Sequence, residues 1–484
     1  MHLIQPQLHT RRAFLRRAGQ LAFTGAALPT ALNLAAMGEA AAFNATDYKA
    51  LVCIFLNGGN DYANTVVNYD SSSHQQYSTV RGNIALAQAA LTPTLLTPDV
   101  ILPGGKQYAL HPAMTGLARV FHEGKAAVQL NVGPLVVPLT RQQYLGSNRT
   151  LYPLPPKLFS HNDQQSVWQS SQPEGATTGW GGHLGDLAIG ANANGTSLFT
   201  CISVTGNTVF LSGDTALSYQ VGSGGPVKIN SLTDNSVYNS QAVKAAMMAL
   251  SMQERDHVLE KEYNLVTSRA HGAYQQISGA LADFPADDAR FNRFFTNGNS
   301  LAGQLKMVAR LIAAQAKMQT KRQVFFVSMG GFDLHDNLLN GQNTLMERLS
   351  AALTAFYDTT AALGVADKVT AFTASDFGRT LTSNGDGSDH GWGSHHFMVG
   401  GAVQGKAFYG KAPPVSVTNS TTDTNDQWHV GQGRLLPSTS VDQYAGTLAR
   451  WFGVENSELN GILPNLRNFD NADYPRNLGF MRMA

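Results

Sequence analysis

The sequence predicts an α/β fold in which a mainly parallel sheet is layered with helices. Two observations carry this prediction. Several continuous apolar runs have the length of a strand and end at glycine or a polar group, as is typical of strands buried on both faces of a parallel sheet. Segments with the pattern of helices lie between these runs, and alternation of strand and helix is typical of an α/β domain.

Four segments are interpreted as buried strands, and a helical segment precedes each of the last three. The strands are expected within residues 48–61, 126–133, 322–333 and 367–379, and the helices within 112–124, 301–319 and 345–364. A further amphipathic helix is expected at 439–454, opened by Thr439 or Ser440 as its N-cap.

The sequence between the second and third predicted strands differs in composition and pattern from the rest of the chain. From residue 197 to about 240, short β-like runs are broken by Gly, Ser, Asn and Thr, and residues 241 to about 284 are helical. We interpret the region at about 197–300 as an inserted β and helical cap on a single domain that spans 43–484. The methionine-rich face of its helical part is expected to pack into a core.

The first 42 residues predict a twin-arginine export signal. Arg11 and Arg12 precede Phe14 and Leu15, and a moderately apolar run then leads to a small-residue site at 40–42. The alternative is a basic amphipathic helix. The signal predicts a periplasmic or secreted protein, with the twin-arginine translocase as its partner during export.

Composition excludes several classes of protein. The chain has 484 residues, of which 43% are hydrophobic and 14% are charged, and its formal net charge is +1. This balance favours a globular protein and gives no attraction to nucleic acid. No later apolar run is long enough to span a membrane. Cys53 and Cys201 lie in apolar, strand-like text and are expected to be buried thiols, with one disulfide as the alternative.

Potential metal ligands follow three of the predicted strands. They are Asp61 after the first strand, Asp333 and His335 after the third, Asp376 after the fourth, and Asp389, His390 and His395 in the loop beyond it. Ligands of α/β sheets bind beyond the carboxyl ends of the strands, so these side chains can converge. A mixed set of carboxylates and imidazoles suits zinc, manganese or iron, whereas oxygen shells suit magnesium or calcium. The alternative is that the aspartates cap helices.

Two further residues are candidates for catalysis. Ser160 lies just before a helical run, where a hydroxyl is either an N-cap or a nucleophile beside an anion held at the helix terminus. Arg379 follows Asp376 and has the forked shape that binds a tetrahedral oxyanion.

Six stretches together resemble a known bacterial family, domain of unknown function 1501. They are "LNGGNDYANTVV", "LHPAM", "FSHNDQQ", "SMGGFDLHDN", "SDFGRTLTSNGDGSDHGWGSHHFMVGGAVQGKAFYG" and "SVDQYAGTLARWFGV". The family is similar to the alkaline phosphatase and sulfatase superfamily. The resemblance therefore implies a doubly wound α/β sandwich that binds one or two divalent metals. It also implies a nucleophile at Ser160, metal ligands at Asp61, Asp333, His335 and Asp376, and a closing histidine at His390 or His395.

The sequence departs from the superfamily pattern in two places. The Asp/His pair is spaced by two residues instead of four, and Phe377 stands where a histidine usually follows the aspartate. The expected function is an exported metal-dependent hydrolase of phosphate or sulfate esters, with an anionic small molecule or polymer as substrate. The alternative is an exported binding or scaffold protein that keeps the fold without catalysis. An oxidoreductase is less supported, because no Gly-x-Gly-x-x-Gly follows the first strand.

Overall fold

A computed structural model describes residue 43 and residues 45–194 and 197–483. The predicted export signal at 1–42 lies outside the described residues. Within them, no helix is both long and apolar enough to cross a membrane.

One large sheet of ten strands forms the centre of the fold. Its strands, with two more that pair separately, are β1 (Lys49–Leu56), β2 (Val66–Asn68), β3 (Tyr108–Leu110), β4 (Ala126–Gly133), β5 (Cys201–Ser203), β6 (Ser218–Gly222), β7 (Gly225–Pro226), β8 (Arg322–Met329), β9 (Val369–Ser375), β10 (Ser394–Gly400), β11 (Phe408–Tyr409) and β12 (Thr439–Ser440). The order in the large sheet is β11-β4-β10-β9-β1-β8-β5-β6-β7, with β12 also paired to β4, while β2 and β3 pair with each other.

The large sheet is mainly parallel. Strand β1 pairs in parallel with both β8 and β9, and β5 pairs in parallel with β8 and β6. Strand β10 is the exception near the centre, because it runs antiparallel to both of its neighbours, β4 and β9. The α/β fold with a mainly parallel sheet is therefore confirmed.

Helices cover both faces of the sheet. They are α1 (Tyr62–Thr65), α2 (Ser71–Arg81), α3 (Gln88–Leu91), α4 (Thr115–His122), α5 (Arg141–Leu145), α6 (His161–Ser170), α7 (Trp180–Gly190), α8 (Asn230–Thr233), α9 (Gln241–Met252), α10 (Val258–Leu281), α11 (Ala289–Asn292), α12 (Ser300–Ala313), α13 (Leu338–Ala362), α14 (Val441–Phe452) and α15 (Asn456–Ile462). Side chains of β1 alternate between two cores. Val52 and Ile54 pack with α4, α12 and α13, whereas Leu51 and Cys53 pack with α7, α14 and α15.

The region at about 197–300 is divided differently from the prediction of one inserted cap. Its first part belongs to the main sheet, because Cys201–Ser203 lies against β8 and Ser218–Gly222 extends the sheet beyond it. In its helical part, α9 has no buried residue, whereas the carboxyl-terminal half of α10 packs into the core through Ala273, Ile277 and Leu281. The methionines of α9 therefore do not enter a core, contrary to the expectation from the sequence. Cys53 and Cys201 are buried free thiols, as predicted.

The helix predicted at 439–454 is α14, and its start shows why the sequence identifies it. The Ser440 hydroxyl accepts a hydrogen bond from the backbone N–H of Gln443 at 3.0 Å, and the Gln443 side chain accepts one from the N–H of Ser440 at 2.9 Å. This reciprocal capping box satisfies two N–H groups that the helix leaves unpaired. Gly453, with φ of +123°, ends the helix.

Asp442 in the first turn of α14 should make stability depend on pH. Burial raises the pKa of its carboxyl to about 6, although Asn465 N–H and the Ser171 hydroxyl donate to it. Because the folded state binds this proton more tightly than the unfolded chain does, the stabilising contribution of protonation is lost as pH rises from about 4 to about 6. We expect Asp442→Asn to stabilise the protein by about 2–3 kcal/mol at pH 8 and much less at pH 4.5.

Urea unfolding of both proteins at the two pH values measures this difference. Asp470→Asn is the matched control, since Asp470 is exposed in the same carboxyl-terminal part of the chain. An Asp442→Asn effect that is equal at both pH values would contradict the expectation.

Candidate metal centre

Loops from three adjacent strands meet at the carboxyl edge of the sheet. The Asn57 N–H, just after β1, donates to the Met329 carbonyl of β8 at 2.9 Å, and the Asn57 carbonyl accepts from the Phe332 N–H at 3.2 Å. The Gly58 N–H donates to Asp376 Oδ1, just after β9, at 3.2 Å. The contact requires glycine, because Gly58 has φ of +115° and a Cβ there would lie 2.4 Å from the backbone nitrogen of Asp333.

Three imidazoles surround the carboxylate of Asp333. His335 Nε2 lies 3.0 Å and His390 Nε2 3.2 Å from Asp333 Oδ1, and His161 Nε2 lies 3.4 Å from Asp333 Oδ2. Ligand atoms of His161, Asp333 and His390 all lie within 4.8 Å of one another, which is compact enough to hold one metal ion. The Nε2 of His335 is also 3.1 Å from that of His390.

The other nitrogen of each imidazole faces an oxygen atom. His161 Nδ1 lies 2.6 Å from Asp376 Oδ2. His390 Nδ1 donates to the carbonyl of Phe159 at 2.8 Å, and His335 Nδ1 lies 3.3 Å from Asp389 Oδ1. A hydrogen bond at Nδ1 fixes the tautomer and leaves the lone pair of Nε2 free to bind a metal. This donor set fits a divalent ion, with nitrogen ligands from His161 and His390 and an oxygen ligand from Asp333.

A buried arginine keeps the central carboxylate charged. Arg379 Nη1 donates to Asp333 Oδ1 at 2.7 Å and to the carbonyl of Gly58 at 3.1 Å. Burial works against ionisation of Asp333, but the hydrogen bond and charge of Arg379 still hold its pKa below the ordinary value. Arg379 therefore lies inside the site as the partner of Asp333, and this ion pair occupies part of the guanidinium that was predicted to bind an oxyanion.

The histidines differ in their affinity for protons. The hydrogen bond to Asp376 raises the pKa of His161 despite partial burial. Burial lowers the pKa of His390, although its hydrogen bond to Phe159 opposes that effect. Asp376 is fully buried and accepts a second hydrogen bond at Oδ2 from Gln165 at 2.9 Å. Asp376 thus orients His161 through its Nδ1, on the side of the ring that faces away from Asp333. Asp389 has the corresponding position at Nδ1 of His335.

Asp61 lies outside this group of ligands. Its Oδ2 forms an ion pair with Arg81 at 2.8 Å and accepts a hydrogen bond from the Ser388 hydroxyl at 3.0 Å, while its Oδ1 caps α1 through the Asn64 N–H. Both oxygens are therefore occupied by protein donors. The structure corrects the metal-ligand prediction for Asp61: the residue supports the site through Ser388, whose hydroxyl accepts from Arg379.

His395 is also separate from the site. It lies in β10, where its Nδ1 accepts the Asn131 N–H at 3.0 Å and its ring packs against Tyr62 and Tyr108. Burial lowers its pKa to about 3, so the ring is neutral. The ligand prediction for His395 is corrected for a simple reason: the stretch that contains it forms an interior strand of the sheet and not a loop at its edge.

Ser160 is placed beside the centre by its two neighbours. Phe159 supplies the carbonyl that holds His390, and His161 faces Asp333. The Ser160 hydroxyl donates to Asp163 Oδ2 at 3.0 Å. Phe159 has φ of +74°, which is rare for a bulky residue and is the kind of backbone strain that occurs at functional sites.

The set predicted from the sequence lacked His161 and Gln165. Both lie on α6, one turn apart, and both contact Asp376. The available signal was the position of His161 directly after Ser160 at the start of a helix. That position gives no indication of a contact with Asp376, which is 215 residues away along the chain.

A second cluster of titratable groups, His183, Asp186 and Asp214, is also compact. The carboxylate of Asp186 accepts hydrogen bonds from the backbone N–H groups of Asp214, Thr215 and Ala216 and from the Thr215 hydroxyl. These donors stabilise a turn and occupy the lone pairs that an ion would need.

Comparison with known proteins identifies the family. The profile of the family described as "Protein of unknown function (DUF1501)" matches residues 48–463. The chain belongs to the DUF1501 family. The family predicted from the six stretches is therefore confirmed, and the matched range includes every residue of the metal centre.

Solved structures that this DUF1501 protein resembles include an alkaline phosphatase. The crystal structure of a mutant of the alkaline phosphatase PafA is 11% identical, with a TM-score of 0.28, and the match covers 70% of this chain and 64% of that one. The chain thus matches less than two thirds of PafA. No curated protein sequence matches the chain.

Proposed function

We propose that this DUF1501 protein is an exported, metal-dependent hydrolase of phosphate or sulfate esters. The observation that supports the proposal most strongly is the convergence of three imidazoles on Asp333, each with Nδ1 held by an oxygen atom. Such outer hydrogen bonds are characteristic of metal sites and have little purpose around a carboxylate that only needs a salt bridge. Export through the twin-arginine pathway is part of the proposal.

His161, Asp333 and His390 would hold the ion, with His335 beside it. A divalent metal bound there would act as a Lewis acid that offsets charge on a tetrahedral centre. The N-terminus of α6 lies at the same place, and no side chain of the described residues caps its first N–H groups. These N–H groups and the helix dipole favour an anionic phosphate or sulfate group beside His161.

Ser160 remains the proposed nucleophile, since its hydroxyl already donates to a carboxylate. In the proposed step, Ser160 Oγ attacks the phosphorus or sulfur atom, its proton passes to Asp163, and the bond to the ester oxygen breaks. The alcohol leaves with a proton from solvent, and Asp163 releases to solvent the proton that it accepted. Water then releases the anion from the serine and restores the hydroxyl.

The central test of the proposal compares two histidine variants. The full-length protein is expressed in an exporting host, and metal content is measured together with hydrolysis of 4-nitrophenyl phosphate and 4-nitrophenyl sulfate. We expect the protein to carry a divalent metal and to hydrolyse at least one ester. His161→Ala should lower both metal content and turnover more than tenfold, because it removes a ligand. His257→Ala, at an exposed histidine before α10, should change neither. Equal metal content in both variants would overturn the assignment of His161.

Replacing Ser160 by alanine should lower turnover by roughly a thousandfold or more while metal content stays unchanged. The metal ligands come from other residues, so only the attacking group is lost. Ser170→Ala, which removes a hydroxyl near the end of the same helix, is the control. Near-normal turnover of Ser160→Ala would show that water, and not the serine, attacks the ester.

One observation favours the alternative of a binding or scaffold protein without catalysis. Arg379 and Asp61 are engaged in ion pairs, although the sequence predicted that Arg379 would bind an oxyanion and Asp61 a metal. A protein that binds a metal but hydrolyses neither aryl ester nor any other ester of the two acids would support this alternative.

A further inference from the structure

A polar cavity of about 410 Å³ adjoins the metal centre. It lies between α6, the loop before α7 and the loop that follows β5, with the end of β8 as its floor. Two of its lining residues connect it to the centre. Gln165 donates to Asp376, and Asn57 directly precedes Gly58, whose N–H donates to the same carboxylate.

Uncharged polar groups dominate the lining. Amides and hydroxyls are contributed by Asn57, Asn162, Gln165, Ser166, Gln169, Thr205, Asn207, Thr208 and Ser328. Among the described lining residues, Glu174 carries the only charge, and none is a lysine, arginine or histidine. The side-chain amide of Asn57 makes no hydrogen bond to a described residue, so both its donor and its acceptor are available to a ligand.

Amide and hydroxyl side chains each offer donors as well as acceptors, which matches the hydroxyl groups of a sugar or other polyol. The absence of a cation among the described lining residues disfavours an anionic group here, and Glu174 would repel one. Positive charge at the metal centre would come instead from Arg379 and from the divalent ion of the proposed function.

We infer that this cavity binds the uncharged carbohydrate portion of the substrate, while its single phosphate or sulfate group reaches the metal centre. The inference rests on the proposed function for the ester group. Recognition of the carbohydrate by the cavity is independent of turnover and can be measured separately.

Saturation-transfer NMR with maltotriose, a neutral trisaccharide, tests the cavity directly. We expect transfer to maltotriose at a concentration where trigalacturonate, its anionic counterpart, gives little. Ala176→Trp should reduce the maltotriose signal at least fivefold, because Ala176 lines the cavity and the indole would fill it. Ala361→Trp is the control, since Ala361 is exposed near the end of α13, at the opposite edge of the sheet.

A second variant removes polarity without adding bulk. Thr205→Val deletes a lining hydroxyl that lies 3.0 Å from the Ser328 hydroxyl, and it should weaken maltotriose binding severalfold. Binding of trigalacturonate in preference to maltotriose, or maltotriose binding that survives both variants, would overturn the inference. Ester hydrolysis without maltotriose binding would overturn the carbohydrate role of the cavity and leave the proposed function standing. Maltotriose binding without hydrolysis of any ester would overturn the proposed function and leave the cavity as a carbohydrate site.

Discussion

Replacing Asp333 by alanine should remove the metal and lower ester hydrolysis by at least about a thousandfold. Asp333 is the residue on which three Nε2 atoms converge, at 3.0, 3.2 and 3.4 Å. Without its carboxylate, the imidazoles lose the anionic group that all three contact, and a divalent ion loses its charged ligand. The loss should be greater than for replacement of His161 or His390, because each of those variants keeps the charged ligand Asp333.

The variant needs two controls, since Asp333 also pairs with Arg379. Asp333→Asn retains an oxygen that can accept from Arg379 at the position of Oδ1, which limits the cost of an unpaired buried cation. Asp336→Ala changes an exposed carboxylate in the same loop and should leave metal content and turnover unaltered. Metal at full occupancy in Asp333→Ala, with an unchanged melting temperature, would refute the assignment of this centre.

The strands that carry the site could be predicted closely from sequence. The apolar run expected at 126–133 is strand Ala126–Gly133, and the runs within 48–61 and 322–333 contain Lys49–Leu56 and Arg322–Met329. Strands buried on both faces need apolar side chains at nearly every position. The resulting apolar run is continuous along the chain and can be recognised from the sequence alone. The polar groups just after them were found for the same reason.

Strand β10 shows where the prediction from sequence failed. His395 is predicted to lie in a ligand loop, yet the stretch "SHHFMVG" that contains it is a strand between β4 and β9 in the sheet. His396 is fully buried there and its ring packs against Trp168. Neutral imidazoles can occupy a core at the cost of a lowered pKa, which burial brings to about 3 for His396. Composition alone cannot distinguish such histidines from ligands.

The other errors in the predicted site arise from contacts between segments that are far apart in the sequence. His161 comes from the start of a helix and Asp61 is neutralised by Arg81, which follows it by 20 residues on α2. Neither contact leaves a local pattern in the sequence. A predicted ligand can therefore be an acid whose charge an unrecognised arginine has already balanced, as the ion pair of Asp61 shows.

That ion pair leads to the largest expected effect on stability. Arg81 and Asp61 are both buried, and Arg81 also donates to the carbonyls of Thr380 and Leu381. Arg81→Met should lower the free energy of unfolding by about 3–5 kcal/mol, because it leaves a buried carboxylate without its counter-charge. Arg119→Met, which breaks a largely exposed ion pair with Asp358, should cost about 1 kcal/mol or less.

The double variant Arg81→Met/Asp61→Asn decides between the two roles considered for Asp61. If Asp61 only balances Arg81, removing both charges should recover much of the lost stability, and the folded double variant should bind metal as the unaltered protein does. Urea unfolding measures the first quantity and elemental analysis of the purified, folded variant the second. Recovered stability with metal lost would instead make Asp61 a ligand, and the centre would then extend through Ser388 to a second carboxylate.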